Sequence, residues 1–296
     1  VSRKDLSAKG LLDAIRQEFR EVPDWRVAGK TAYPLVDVLM CGLAMFMTKN
    51  PSLLAFSTDA KVGASKDNLI NLFGVEKVPS DTEMREILDL VDPDVFDAAY
   101  RRVFSLFQRG KGLEPYVFLD EGYLVPIDGT QYFNSHEIHC DRCCIKDHKD
   151  GTRSYYHQAL AAVLVHPGIK HVVPLGLEPI GKQDGIKKND CERVAAKRLL
   201  GHLRSVHPHL KMVVVMDGLG STGPSILQLK ELRMRYIIGA KPGDHSALFG
   251  FIEGSERLGE VVHYDIAEGP ITHRFRFMNN VPLNDSHPDL FVNFLE

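Results

Sequence analysis

The sequence predicts a mixed α/β protein: a helical module over residues 1–112, a mixed sheet with flanking helices over 113–247, and a β-rich segment over 248–296. Three observations carry that expectation. Apolar residues recur at helical spacing as far as Phe107 and change to extended runs from Tyr116 onward. Turn signals such as Pro167-Gly168 punctuate those runs. Two of the runs, 125–127 and 212–216, end in Asp-Gly, at Asp128-Gly129 and Asp217-Gly218.

In the first third, Leu12, Ile15 and Phe19 make a helical stripe, and Pro34 stands where a first-turn proline opens an apolar helix running to Met47. Ser80 and Glu83 form a capping box ahead of Met84, Ile87, Leu88 and Leu90. A last helix from about Pro93 buries Phe96, Tyr100, Val103, Phe104 and Phe107 and ends at Gly110 and Gly112. Trp25 follows Pro23 in a polar stretch; it either anchors the first helix, the default, or offers its ring to a base.

Residues 116–119 and 123–127 then read as a first strand or hairpin, 158–165 as a second strand and 172–180 as a third. Asp190 caps a helix to about Ser205 whose stripe is Val194, Ala195, Leu199, Leu200 and Leu203. Residues 211–216 form a buried strand, 224–232 a helix and 236–240 a fifth strand. Three antiparallel strands followed by crossovers build one mixed sheet with helices on its faces. Beyond Leu248, residues 261–266, 271–278 and 290–295 read as further strands.

Composition narrows the function classes. With 36 Lys and Arg against 39 Asp and Glu, the net charge of −3 carries no global basic excess of the kind DNA binders show. A local excess does exist: Lys182, Lys187, Lys188, Arg193, Lys197, Arg198 and Arg204, offset by Asp184, Asp190 and Glu192, make either a solvated helix face or a phosphate-binding one. The longest apolar run, 34–47, contains Asp37 and is too short to cross a bilayer, so a cytoplasmic protein without a membrane partner is expected.

Five cysteines, three of them at Cys140, Cys143 and Cys144 beside histidines, suit metal binding in a reducing compartment better than a disulfide framework. The polar connection holding His136, His139, Cys140, Cys143 and His148 is long enough to need a tie. Cys140, Cys143, His148 and His157 are the candidate set for a structural, tetrahedral Zn²⁺. The bland alternative packs reduced cysteines as small hydrophobes beside surface histidines.

The two Asp-Gly pairs are the main chemical signal. A carboxylate crowning a buried strand sits at the sheet's rim, where a second one on a neighbouring strand can join it to hold divalent metal against a phosphate. Asp-Gly is also the commonest sign of a plain turn, so neither pair decides alone.

With its element order and the runs Pro79-Ser80-Asp81-Thr82, Ile127-Asp128-Gly129-Thr130, Lys188-Asn189-Asp190-Cys191-Glu192, Met216-Asp217-Gly218-Leu219 and Gly239-Ala240-Lys241-Pro242-Gly243-Asp244-His245, the chain resembles the DDE transposases of bacterial insertion sequences. The resemblance implies a ribonuclease H-like core in which Asp128 and Asp217 are catalytic and bind Mg²⁺ (or Mn²⁺) for DNA end cleavage and strand transfer. It also implies DNA, as transposon ends and target, for a partner, and a homo-oligomer assembled on that DNA. Lys241 and His245 either contact phosphate or belong to a turn.

The family's third acid lies on a helix after the fifth strand, often beyond a β-rich insertion. Residues 248–296 resemble that insertion, and Glu253, Glu256, Glu260 and Glu268 read as solvated loop charges, leaving the third acid unassigned. The expectation is a chain truncated before that acid and inactive alone. Two alternatives stand beside transposition: a metal-dependent nuclease of the same fold that cuts without joining, and a non-catalytic DNA-binding remnant.

Overall fold

The computed structural model describes residues 5–119, 122–181 and 188–296, with the side chains of all of these except 188–191. The fold is mixed α/β, and the chain divides into two compact units, residues 1–123 with 161–179 and residues 124–160 with 180–296.

The first unit is mainly helical. It holds α1 (Ala8–Arg20), α2 (Leu35–Met47), α3 (Leu53–Asp59), α4 (Gly63–Asn68) continuing as a π-turn (Leu69–Phe73), α5 (Asp81–Leu88) and α6 (Asp97–Arg109). Ser7, Ser52 and Ser80 each turn a hydroxyl onto an orphan amide at a helix start, and the Ser80 bond to Glu83 N at 3.2 Å is half of the expected capping box. Leu12, Phe19, Val38, Leu39, Met40, Phe56, Phe73 and Met84 meet in one core. Between α1 and α2, Arg16 Nη2 lies 2.6 Å from Asp37 Oδ1, so the charge that interrupts the apolar run is paired.

Three expectations change here. The helix expected from Pro93 opens as a 3₁₀ turn (Pro93–Phe96), whose proline fits the first turn but donates no amide. Tyr100 is left 37% exposed, while Leu106, one helical position off the expected stripe, is buried. Of the expected strand 116–119, Tyr116 closes a 3₁₀ turn (Glu114–Tyr116) and Phe118 pairs with Gly122 in a single antiparallel bridge. Trp25 stays 45% exposed.

The strands are β1 (Tyr123–Ser135), β2 (Cys144–Asp147), β3 (Arg153–His166), β4 (Ile169–Ile180), β5 (Met212–Met216) and β6 (Arg235–Ile238). They form one sheet in the order β2-β3-β1-β5-β6, with β4 paired to β3. β2 runs antiparallel to β3 and β5 parallel to β6. Helices α7 (Lys188–Val206) and α8 (Gly223–Glu231) provide the crossovers around β5. Ala195, Leu199, Leu200 and Leu203 are buried as the stripe requires, but Val194 is exposed. No helix among the described residues is long and apolar enough to cross a membrane.

β1 extends well beyond the five residues its apolar run suggests. Its burial changes at Asp128: Leu124, Val125 and Ile127 are buried, and 128–132 are exposed. Ladder bonds continue a strand after its side chains leave the core, which apolarity alone cannot reveal. Asp128 therefore lies within β1, at the point where the strand emerges.

Residues 246–257 correct a second expectation. In the segment read as β-rich, α9 (Ser246–Arg257) precedes the expected strands, which form the sheet of β7 (Val262–Glu268), β8 (Ile271–Asn284) and β9 (His287–Leu295). Leu248 and Ile252, one helical turn apart, pack with Val261, Val281 and Phe294. Glu253 and Glu256 are thus helical, and only Glu260 remains in the loop before β7.

Candidate functional site

Asp128 and Asp217 belong to adjacent strands of the sheet, β1 and β5, and line one cleft of about 230 Å³. Asp217 follows β5 directly and opens a 3₁₀ turn, Gly218–Gly220, its Oδ1 accepting the Leu219 amide at 3.0 Å. Asp128 Oδ1 accepts the Gly129 amide at 2.8 Å. Each carboxylate is exposed and accepts a downstream amide with one oxygen, Asp217 at the 3₁₀ turn that follows β5 and Asp128 within β1. Glycine lets two segments approach closely here: Gly239 O is 3.7 Å from where a Cβ on Gly218 would stand, and the Gly239 amide bonds to Met216 O at 3.0 Å.

A third carboxylate lines the same cleft. Glu192, in the first turns of α7, brings Oε1 to 3.5 Å from where a Cβ on Gly129 would stand, and Arg193 lies beside it. The sequence reading placed Glu192 in the run that opens the central helix and counted it as an offset to local basic charge, without giving it a role in the site. The available signal was an acid at the start of a helix that returns from β4 to β5. Glu253 and Glu256 are not among the cleft's lining residues. Glu253 is exposed, and Glu256 accepts from His263 Nε2 at 2.7 Å with the Arg276 guanidinium 3.8 Å away.

The local basic excess separates into different roles. Arg204 donates to the carbonyls of Leu232, His207, Pro208, Leu210 and Arg233 at 2.8–3.3 Å, capping the end of α7 and tying it to the start of β6. It serves neither as a solvated charge nor as a phosphate contact, and burial pulls its guanidinium below the usual range. Lys182, Asp184 and Lys187 lie outside the described residues, as do the side chains of Lys188 and Asp190. Lys241 is exposed. His245 is buried, with Nε2 2.7 Å from Ser221 Oγ, which removes it from the phosphate contacts considered above.

The Cys/His stretch divides as well. Cys140 Sγ, Cys143 Sγ and His157 Nε2 form one cluster, the sulfurs 3.7 Å apart and each 3.3 Å from the nitrogen. The hairpin register explains it: Cys144 pairs with Tyr156, so one more step sets Cys143 opposite His157. His148 follows the opposite end of β2, about 15 Å further along an extended chain, and bonds Ser154 Oγ at 2.8 Å. The expected four-residue set is therefore not brought together. Burial pushes the Cys143 thiol up and the His157 imidazole down from their ordinary values. Cys144 is buried and turns its sulfur to Ile180 O at 3.6 Å.

The fold and cleft define a mixed α/β protein with carboxylates from two adjacent strands and a crossover helix facing one opening. Residues 16–103, within the helical unit, match the family model described as DDE_Tnp_1-associated, which supports a transposase-related protein. No curated protein matches the chain.

Proposed function

We propose that the protein is a DDE-type transposase, a polynucleotidyl transferase that cleaves DNA at element ends and joins the freed 3′-hydroxyl to target DNA. The observation that carries this is the meeting of Asp128 and Asp217 in one cleft from adjacent strands. The transposase-associated match over 16–103 supports it, as does the strand order β4-β3-β1-β5-β6, the arrangement expected of a ribonuclease H-like core.

The donor set fits a hard divalent cation. Asp128, Asp217 and Glu192 offer only carboxylate oxygens, and among the described residues no thiol or imidazole lines the cleft. These residues would hold Mg²⁺ or Mn²⁺. Such ions, when bound, activate a water or 3′-hydroxyl and neutralise charge on the leaving oxygen. The chain's own contribution is orientation: the Gly129 amide holds one oxygen of Asp128 and the Leu219 amide one oxygen of Asp217. Arg193 adds positive charge on the wall where a DNA phosphate would enter. DNA is the partner on this reading, and a homo-oligomer holds two ends together.

The test is Mg²⁺-dependent cleavage and joining of DNA carrying the element's ends. Asp217→Asn removes a ligand with little change of shape, so cleavage should vanish while end binding persists. Unchanged cleavage would remove Asp217 from the site. Cutting without joining would identify a nuclease of the same fold.

A further inference from the structure

We propose that Cys140, Cys143 and His157 bind one zinc ion that staples the β1–β2 connection to β3, with water in the fourth coordination position. Tetrahedral zinc at about 2.3 Å from sulfur and about 2.0 Å from nitrogen sets two thiolates about 3.8 Å apart and each thiolate about 3.5 Å from the imidazole nitrogen. The three atoms stand at 3.7, 3.3 and 3.3 Å, close to those edges on all three sides. A thiol hydrogen bond to the imidazole accounts for single edges of such a triangle, whereas one zinc ion accounts for all three together.

The surroundings support a built site. The Cys140 amide points at Cys143 Sγ from 3.3 Å and the Cys143 amide bonds Cys140 O at 3.2 Å, so the turn holds both sulfurs on one side and supplies an N–H to a thiolate. The Tyr132 ring stacks on the His157 ring at 5.9 Å and Phe133 meets it at 5.7 Å, which limits imidazole rotation. Among the described residues no fourth Cys, His, Asp or Glu atom joins the three. Cys140 is exposed, so the open corner faces solvent.

Binding releases two thiol protons and leaves a neutral assembly of Zn²⁺, two thiolates and one imidazole. Its mechanical effect is to add a metal tie to residues 136–143, which the His136 contact with Arg153 O and the stacking of His139 on Tyr155 already hold against β3. The site is chemically separate from the carboxylate cleft, whose oxygen donors suit a different ion.

The test measures zinc in the intact chain by elemental analysis, then titrates chelator-stripped protein with Zn²⁺ alone against a chromophoric chelator. One zinc per chain is expected, with stoichiometric uptake by the stripped protein. Cys143→Ser and His157→Ala should abolish that uptake, His157→Cys should restore it, and His148→Ala and Cys144→Ser should bind as the parent does. Because the His157→Cys and His148→Ala chains are expected to keep the fold, failure of a truncated variant to fold does not decide the matter. No zinc uptake by the parent would overturn the proposal, and so would loss of zinc in His148→Ala equal to that in Cys143→Ser.

Discussion

His245 Nε2 lies 2.7 Å from Ser221 Oγ, and both side chains are buried. The Ser221 hydroxyl also contacts Gly218 O at 2.6 Å, a carbonyl that can only accept. Ser221 therefore donates to Gly218, and His245 must present its Nε2–H to Ser221. Through this relay the segment after β6 grips the turn that begins at Asp217.

Ser221→Ala leaves a buried imidazole N–H without a partner, and the expected loss of stability is about 1–3 kcal/mol. A chemical denaturation midpoint moved down at constant slope would show it. His245→Phe in the Ser221→Ala background should cost less than the two single changes added together, because neither residue then has a bond to lose. Additive costs would mean that the two do not act as a pair.

Glu192→Gln tests the third carboxylate of the cleft. If the acid helps hold the cation, Mg²⁺-dependent cleavage should fall by about 10–100-fold, with more Mg²⁺ needed for half-maximal rate. Thermal stability should stay unchanged. A variant cleaving like its parent at limiting Mg²⁺ would confine the metal site to Asp128 and Asp217.

The Arg16–Asp37 pair is mostly buried between α1 and α2, its side chains 16% and 14% exposed. Arg16→Ala strands the Asp37 carboxylate and should destabilise the helical unit by about 3 kcal/mol. Replacing both partners with apolar residues should recover much of that loss. Thermal unfolding followed by circular dichroism compares the three proteins.

Burial, with the Asp37 carboxylate adding to it, pushes the Cys41 thiol up to about 12 from an ordinary value of 9.0. The folded state thus favours the neutral thiol. That contribution is fully present below about pH 9 and is lost as pH rises toward 12. Cys41→Ala should flatten the alkaline fall in stability, and alkylation of native protein at pH 8 should label metal-free Cys140 well before Cys41.

Several elements were legible because their cause is local. Ser80 and Glu83 announce a helix start, and the run 212–216 ends as expected at Asp217. The π-turn at Leu69–Phe73 and the helix at Ser246–Arg257 were not legible, since such short stretches become helical only when a core claims one face. For the same reason β1 was read too short: its outer half carries no apolar run and is a strand only through its ladder.

By itself the sequence determined the periodicities, the Ser80 cap and the positions of Asp128 and Asp217 on extended segments, because these depend on residues within a few positions of one another. Asp190, expected to cap α7, stands inside that helix, which begins at Lys188. Only the tertiary structure decided which side chains meet. Strand order brought Asp128 and Asp217 to one cleft and α7 carried Glu192 over Gly129. Hairpin register selected His157 over His148, and the return of the chain after β6 set His245 on Ser221, 24 residues away. Such meetings arise from backbone pairing and burial between distant segments, which no run of consecutive residues encodes.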